Sequence, residues 1–179
     1  MTTDALSLKI VYEGWEGYQT SLVHAIAPLS PAQLAYRPVP NLRSAGEIVN
    51  HISLGRIGWF QRMQAPGSDE LASQATQWDP EDAIVGNAVE LVRRLEASWQ
   101  MVENTLTHWT TADLMKTYRQ PYQGKVYAVS RQWTIWRIMA HDLHHGGEIA
   151  VLLGQQGINI PELGDVGGHI TEVPLEESS

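Results

Sequence analysis

Two histidines, His141 and His145, lie four residues apart in a segment that is predicted to be helical. Side chains four positions apart on an α-helix project from nearly the same face, with Cβ atoms about 5–6 Å apart. This separation allows both imidazoles to bind one divalent metal ion, as paired histidines do in many helical zinc sites. The same spacing also occurs by chance on a solvated face, so the pair alone leaves both interpretations open.

The helix face that carries this pair is mostly polar. On a helical wheel its members fall within roughly 60° of one direction. They are Thr134, Arg137, His141, His144, His145, Glu148, Leu152 and Gln155. The opposite side is more apolar and could pack as core by itself, with Ile135, Met139, Ala140, Leu143, Ala150 and Leu153. Periodicity therefore leaves open whether the histidine face is an outer surface or a polar site that faces inward.

His51 is the best candidate for a third ligand, because two ligands do not make a stable metal site. It lies on another predicted helix, within a stripe that should face the core and that consists of Ile48, Ile52, Gly55 and Trp59. A histidine on such a stripe is also common as a hydrogen-bonded core residue. The remaining histidines outside the fourth helix, His24, His108 and His169, are expected at the surface.

Three further residues are candidates for the surroundings of the ligands. Glu148 could orient a ligand or accept a proton. His144 is offset from the direction of the pair and is expected beside the ligands, and Arg137 lies near them in sequence. Trp59, Trp133 and Trp136 are candidates for lining a pocket, although packing is the commoner role of tryptophan.

Composition limits the classes of function. A length of 179 residues fits one domain, and no run approaches the ~18 apolar residues of a membrane helix. The N-terminal residues lack the features of a signal peptide, so we expect a cytoplasmic protein. The formal charge of −8 disfavours nucleic acid as a partner. The absence of cysteine means that nitrogen and oxygen atoms must hold any metal.

Four long helices are predicted, and no confident strand. They cover about Asp4–Ala27, Ser44–Gln64, Asp79–Thr107 and Ser130–Gln156. Ser44 and Glu47 match a capping box at the start of the second helix, Asp79 and Pro80 mark the third, and Gly157 ends the fourth. The segments between them, including 66–78 and 116–129, are predicted to be loops, the latter a loop or irregular hairpin. The expected fold is an all-α four-helix bundle with an extended or partly disordered tail from about residue 157.

Three stretches of the chain are similar to the DinB/YfiT-like metalloprotein superfamily. They are Tyr36–Pro38, Ser44–His51 and Trp136–Ile149, in this order. Members of that superfamily are four-helix bundles with one histidine on the second helix and an HxxxH pair on the fourth. The resemblance implies that His51, His141 and His145 are the metal ligands, that zinc, nickel or another divalent ion binds, and that the bundle pairs into a homodimer. It does not identify a substrate.

Three imidazoles leave a divalent ion with an open position, which is typical of catalytic sites. One hypothesis is hydrolysis of an amide or ester of a small molecule by acidified water. The second is a low-molecular-weight thiol transferase or isomerase, which the resemblance favours because some relatives use such thiols. A third alternative is a metal- or ligand-binding bundle of a stress response without turnover.

Overall fold

The structure is a computed structural model that describes residues 8–80, 83, 85–160 and 163. A 3-10 helix at Leu8–Tyr12 is followed by α1 (Glu13–Ile26), α2 (Pro31–Ala35), α3 (Ala45–Arg62), α4 (Ser68–Ala75), α5 (Ala88–His108), α6 (Thr111–Leu114) and α7 (Arg131–Gly154). Between α6 and α7, β1 (Thr117–Tyr122) and β2 (Lys125–Ser130) form a hairpin. Within the described ranges, no helix has the length and apolar content needed to cross a bilayer.

The long helices α1, α3, α5 and α7 enclose two apolar clusters. Helix α3 contacts α5 and α7, and α1 contacts the same two helices. The first cluster includes Leu22, Ile52, Leu95 and Ile149. The second includes Trp15, Phe60, Val102 and Ile138. The order of these residues along the chain shows that α1 and α7 run from the second cluster to the first, whereas α3 and α5 run the opposite way.

A buried polar layer lies between the two clusters. Each long helix contributes one side chain to it, namely Gln19, Arg56, Ser98 and Asp142, and each is at most 4% exposed. Buried polar groups are stable only when they are hydrogen-bonded. The Arg56 guanidinium makes these bonds, since it donates to Gln19 Oε1 at 2.7 Å and to Asp142 Oδ2 at 2.8 Å.

The predicted starts of the second and fourth helices are confirmed. The Ser44 hydroxyl accepts from Glu47 N, and the Glu47 carboxylate accepts from Ser44 N at 2.7 Å. The Ser130 hydroxyl caps α7 by accepting from Trp133 N at 3.1 Å. Gly157, at φ +76°, follows the end of α7. Side-chain caps satisfy amides that have no partner within the helix, which is why these boundaries can be read from sequence.

The predicted start of the third helix is wrong. Helix α5 begins at Ala88, and the Asn87 side chain caps it by accepting from Glu90 N. Asp79, the expected cap, instead accepts from Arg94 Nη2 at 2.7 Å. The Asp79 carboxylate therefore forms an ion pair with a distant arginine, although its neighbours in sequence resemble those of a helix cap.

Two predicted loops contain helices. Helix α4 lies in the segment expected to be a loop between Pro66 and Trp78, because Leu71, Ala72 and Ala75 pack against the second cluster. Helix α2 lies in the connection after α1, and Ser30 and Gln33 form its capping box. The predicted first helix is shorter than expected, since residues 8–12 are 3-10 helix and residues 4–7 lie outside the described residues.

The hairpin corrects the all-α prediction. Its two strands pair from Thr117 with Ser130 to Tyr122 with Lys125. Gln123 and Gly124 both have positive φ, +47° and +73°, as a two-residue hairpin turn of type I′ requires. Pro121 argued against a strand in the sequence. A two-stranded ribbon has an open edge on each strand, so it tolerates a residue without an amide proton.

The first part of the expected tail packs on the protein. Ile158 and Ile160 contact the first cluster, and Leu163 is buried within it. Residues 158–160 have no helix or strand, so this part of the segment is packed on the protein without regular secondary structure. The remainder of that segment, residues 161–162 and 164–179, lies outside the described residues.

Candidate metal centre

The three predicted ligands, His51, His141 and His145, come together between α3 and α7. The ring centroids of His51 and His141 lie 4.8 Å apart, those of His51 and His145 4.7 Å apart, and those of His141 and His145 4.4 Å apart. One nitrogen of each ring lies within 4.8 Å of the others. His141 Nε2 and His51 Nε2 lie 2.9 Å apart.

This donor set fits a divalent metal ion. Two nitrogen ligands of a tetrahedral zinc ion at bond lengths of ~2.05 Å lie about 3.3 Å apart. The observed range of nitrogen separations, from 2.9 Å to at most 4.8 Å, includes that value. Small ring rotations would therefore bring the three nitrogens to bonding positions. Imidazole nitrogen also suits nickel and other divalent ions, so the donor set does not select one metal.

Two glycines allow the helices to approach at this level. A Cβ atom at Gly55, one turn after His51, would lie 3.2 Å from His141 Cε1. A Cβ atom at Gly146 would overlap the hydroxyl of Tyr18, a side chain that is 1% exposed. The Tyr18 hydroxyl donates to Leu143 O at 3.2 Å. Glycine at these positions thus lets α7 pack against α1 and lets the His141 ring pack against α3.

The buried polar layer borders the three histidines. Asp142 Oδ2 accepts from Arg56 Nε and from Trp15 Nε1, each at 2.8 Å. Its other oxygen, Oδ1, lies 3.5 Å from His141 Nδ1. Both of these atoms are buried without a hydrogen-bond partner in the described part of the chain. A small rotation of the ring would join them in the carboxylate–histidine hydrogen bond that commonly supports a metal ligand.

Glu148 supports His145 from the solvent side. Its Oε2 lies 2.7 Å from His145 Nδ1, and its Oε1 lies 3.2 Å from His144 Nε2. Burial lowers the pKa of His145, and the hydrogen bond to Glu148 opposes this shift. A neutral His145 that donates from Nδ1 to Glu148 keeps the lone pair of Nε2 for a metal. His144, Glu148 and His145 also form a second group with ligand spacing, in which Glu148 makes a hydrogen bond with His145 and a 3.2 Å ion-pair contact with His144.

The other candidates are spread over the surface. His24 and His108 are exposed as expected, and His169 lies outside the described residues. Within the described residues, no hydrogen bond, ion pair or ring contact joins Arg137 to the three histidines. Arg137 stacks instead with Trp59 and Trp133, at 5.3 and 5.4 Å from the guanidinium carbon to the ring centroids.

The burial of α7 answers the question that its periodicity left open. The helix buries a mixed face, which includes Thr134, Ile138, Asp142, His145 and Ile149. Leu143, on the apolar side that could have packed as core, is 40% exposed. The histidines therefore lie at the border between core and solvent.

Sequence reasoning missed Arg56 and Asp142. A signal for Arg56 was present, because it lies midway between Ile52 and Phe60 at intervals of four residues and thus on their buried stripe. A charged residue on a buried stripe needs a buried partner. The sequence does not show which of the acidic residues provides it.

Two grooves open along α7, and the first of them includes His145 in its lining. The first has a volume of about 670 Å³ and is lined by His145, His144 and Glu148 together with Asn41 and Leu42 from the segment before α3. The second has a volume of about 790 Å³ and lies between α3, α7 and the hairpin. Trp59, Trp133 and Arg137 line it as proposed from the sequence, whereas the exposed Trp136 does not.

Comparison with known proteins identifies what this arrangement is similar to. A family model described as the DinB superfamily matches residues 15–149, a range that includes all three histidines. The crystal structure of a DinB-like protein from Bacillus cereus is similar to this structure with a TM-score of 0.68 at 16% sequence identity. The alignment covers 88% of this chain and 97% of that chain. Among curated proteins, none matches this chain.

Proposed function

The chain belongs to the DinB superfamily, and we propose that it is a divalent-metal-dependent enzyme with His51, His141 and His145 as ligands. The observation that carries this proposal is the convergence of three imidazoles from two helices, with ring centroids 4.4–4.8 Å apart. In this proposal the four long helices form a four-helix bundle, and the site opens to solvent at one side of it.

The metal in this proposal is zinc or nickel. When bound by three neutral imidazoles, such an ion would act as a Lewis acid that lowers the pKa of a coordinated water or thiol and so provides a nucleophile near neutral pH. The protein residues hold the three rings in place. Glu148 orients His145, and Asp142, which is itself fixed by Arg56, orients His141.

The reaction we propose is transfer of a low-molecular-weight thiol to a small electrophilic molecule, in which a bond from the thiol sulfur to carbon forms, a leaving group departs with its electron pair and the thiol proton passes to solvent. Transfer needs room for two substrates, and the two grooves along α7 supply it. His145 lines the first groove directly, so a thiol seated there is beside a ligand of the metal. The second groove begins one helical turn before His141, where Arg137 lies.

Hydrolysis is the second candidate. It is supported by Glu148, a carboxylate that is 44% exposed at the edge of the first groove and could move a proton to or from water. Its hydrogen bond with His145 and its 3.2 Å ion-pair contact with His144 make positioning its better-supported role. A bundle that binds metal or ligand without turnover remains the alternative to both enzymes.

The setting of the enzyme is part of the proposal. We propose a single-domain cytoplasmic protein that forms a homodimer and acts on a small molecule. The net charge of −8 disfavours nucleic acid as a partner.

Cobalt substitution combined with thiol titration tests the reaction class. We expect cobalt-loaded protein to change its visible spectrum when a thiol such as cysteamine is added, and turnover of an electrophile such as a chlorodinitrobenzene to depend on thiol. His145→Ala should abolish both effects, whereas His108→Ala, at an exposed histidine outside the site, should leave both unchanged. Ester or amide cleavage without thiol would favour hydrolysis. Bound metal with neither activity would favour the binding protein.

A further inference from the structure

The second groove combines cationic and aromatic side chains. Arg62 and Arg137 line it together with Trp59, Trp133, Tyr122 and Tyr127. The described lining of this groove contains no aspartate or glutamate. It is therefore a local positive surface on a protein whose formal charge is −8. Such a concentration of one sign of charge in a concave site attracts ligands of the opposite sign.

The two guanidinium groups are held in place by stacking. Arg62 lies over Trp59, with 4.6 Å from its guanidinium carbon to the ring centroid. The guanidinium carbon of Arg137 lies at similar distances from the centroids of both indoles, 5.3 Å from Trp59 and 5.4 Å from Trp133. The indoles themselves meet edge to face, with centroids 6.5 Å apart. Stacked guanidiniums lose less rotamer freedom when they bind a ligand, which favours affinity.

The in-plane donors of both arginines remain available. Both side chains are exposed, and neither forms an ion pair within the described part of the chain. Several other arginines of the described structure, among them Arg56 and Arg94, form ion pairs with carboxylates. Arg93 is a close comparison, because it lies 5.5 Å from Trp78 but also donates to both oxygens of Glu90. The groove thus presents stacked guanidiniums that lack the usual acidic partner.

The second groove lies about one helical turn from the three histidines. Arg137 precedes His141 by four residues, which is about 6 Å along α7. Trp59 follows Gly55 by the same interval on α3, and Gly55 faces the His141 ring. A ligand that contacts Arg137 and extends about one helical turn along α7 therefore reaches the level of His141. Tyr122 and Tyr127 line the groove from the hairpin.

From this arrangement we propose that the second groove binds the electrophilic substrate, and that this substrate is an organic carboxylate with a flat apolar body. The carboxylate accepts hydrogen bonds from Arg137 and Arg62, whose planar forks match two oxygens. The flat body packs against the indole and phenol rings. The inference rests on the proposed function in that the other end of the molecule reaches the three histidines.

Calorimetric titration with benzoate tests the proposal, with benzamide as the neutral molecule of the same shape. We expect benzoate to bind at least about ten-fold more tightly than benzamide, because only the anion makes charge-assisted hydrogen bonds. Arg137→Gln and Arg62→Gln should each weaken benzoate binding about ten-fold and leave benzamide unchanged. Arg93→Gln is the matched control, since it removes a stacked arginine outside the groove and should leave benzoate binding unchanged.

Metal content is measured on the same samples, so that a failure of the groove inference can be distinguished from a failure of the proposed metal-dependent function. Equal affinity for benzoate and benzamide would overturn the inference, and so would benzoate binding that persists in the double variant Arg62→Gln/Arg137→Gln. Benzoate binding that disappears on removal of the metal but not in the arginine variants would place the carboxylate on the ion and would also overturn it. Arginine-dependent binding in protein without stoichiometric metal would support the groove and contradict the proposed function.

Discussion

Replacement of Asp142 by asparagine isolates the charge of the buried layer. Asp142 and Arg56 are both 0% exposed, and their side chains meet at 2.8 Å. An asparagine oxygen can still accept from Arg56 Nε and Trp15 Nε1, so the shape and both hydrogen bonds are retained. The variant leaves the Arg56 cation without a buried counter-charge, and the loss of one partner of a buried ion pair costs about 3–5 kcal/mol.

We therefore expect Asp142→Asn to lower the free energy of unfolding by about 3–5 kcal/mol. For a domain of this size, that corresponds to a decrease of the melting temperature by about 6–20 °C. The assay is urea denaturation of metal-free protein in EDTA, because a bound metal would add its own stabilisation. Asp69→Asn is the control. Asp69 is exposed and accepts a hydrogen bond from Gln61, so its change should be within about 0.5 kcal/mol.

A double-mutant cycle completes this test. Arg56→Met leaves the Asp142 carboxylate unpaired, whereas the combination of Arg56→Met with Asp142→Asn removes both charges. We expect the combined loss of stability to be smaller than the sum of the single losses by more than about 1 kcal/mol. A loss below about 1 kcal/mol for Asp142→Asn, together with additive effects in the cycle, would refute the ion pair as the centre of the polar layer.

The remaining predictions concern the glycines, the outer carboxylate and pH. Gly146→Ala places a Cβ atom against the buried tyrosine and should destabilise the protein by about 1–3 kcal/mol; Gly147→Ala, where no atom lies within 4 Å, should leave stability unchanged or raise it by up to about 1 kcal/mol in the same urea assay. Glu148→Gln should weaken metal binding about 10–100-fold in a competition assay with a chelator, without loss of the fold. Hydrogen bonds from Arg93 lower the pKa of Glu90 from 4.5 to about 2, so this carboxylate stabilises the fold above pH 4.5 and the effect is lost as the pH falls toward 2. Thermal denaturation should show Glu90→Gln to be less stable than the natural protein at pH 7, with a difference that narrows below pH 4.5; a constant difference down to pH 3 would contradict it.

Local signals predicted the starts of the helices that begin at a side-chain cap. Ser44 with Glu47 and Ser130 each satisfy amides within a few residues of themselves, so the sequence contains the whole interaction. Asp79 has the same local appearance, yet a guanidinium on α5 binds its carboxylate and the helix begins later. Helix α4 was missed for a related reason, because it is stabilised by packing against the second cluster rather than by its own pattern.

Two of the three histidines were predictable from spacing alone, because residues four apart lie on the same face of a helix. The position of His51 opposite them depends on how α3 packs against α7, which the resemblance to a family supplied and periodicity did not. The residues that position the ligands were harder to find. Asp142 lies next to His141 in sequence, but its partners, Trp15 and Arg56, are on two other helices.

Metal analysis of the purified protein tests the central claim most directly. We predict one zinc or nickel ion per chain, an X-ray absorption spectrum with three imidazole nitrogens in the ligand shell, and loss of the ion in each of His51→Ala, His141→Ala and His145→Ala. His108→Ala should retain it. Protein that contains no stoichiometric metal after exposure to both ions, or an unchanged metal content in His145→Ala, would contradict the account.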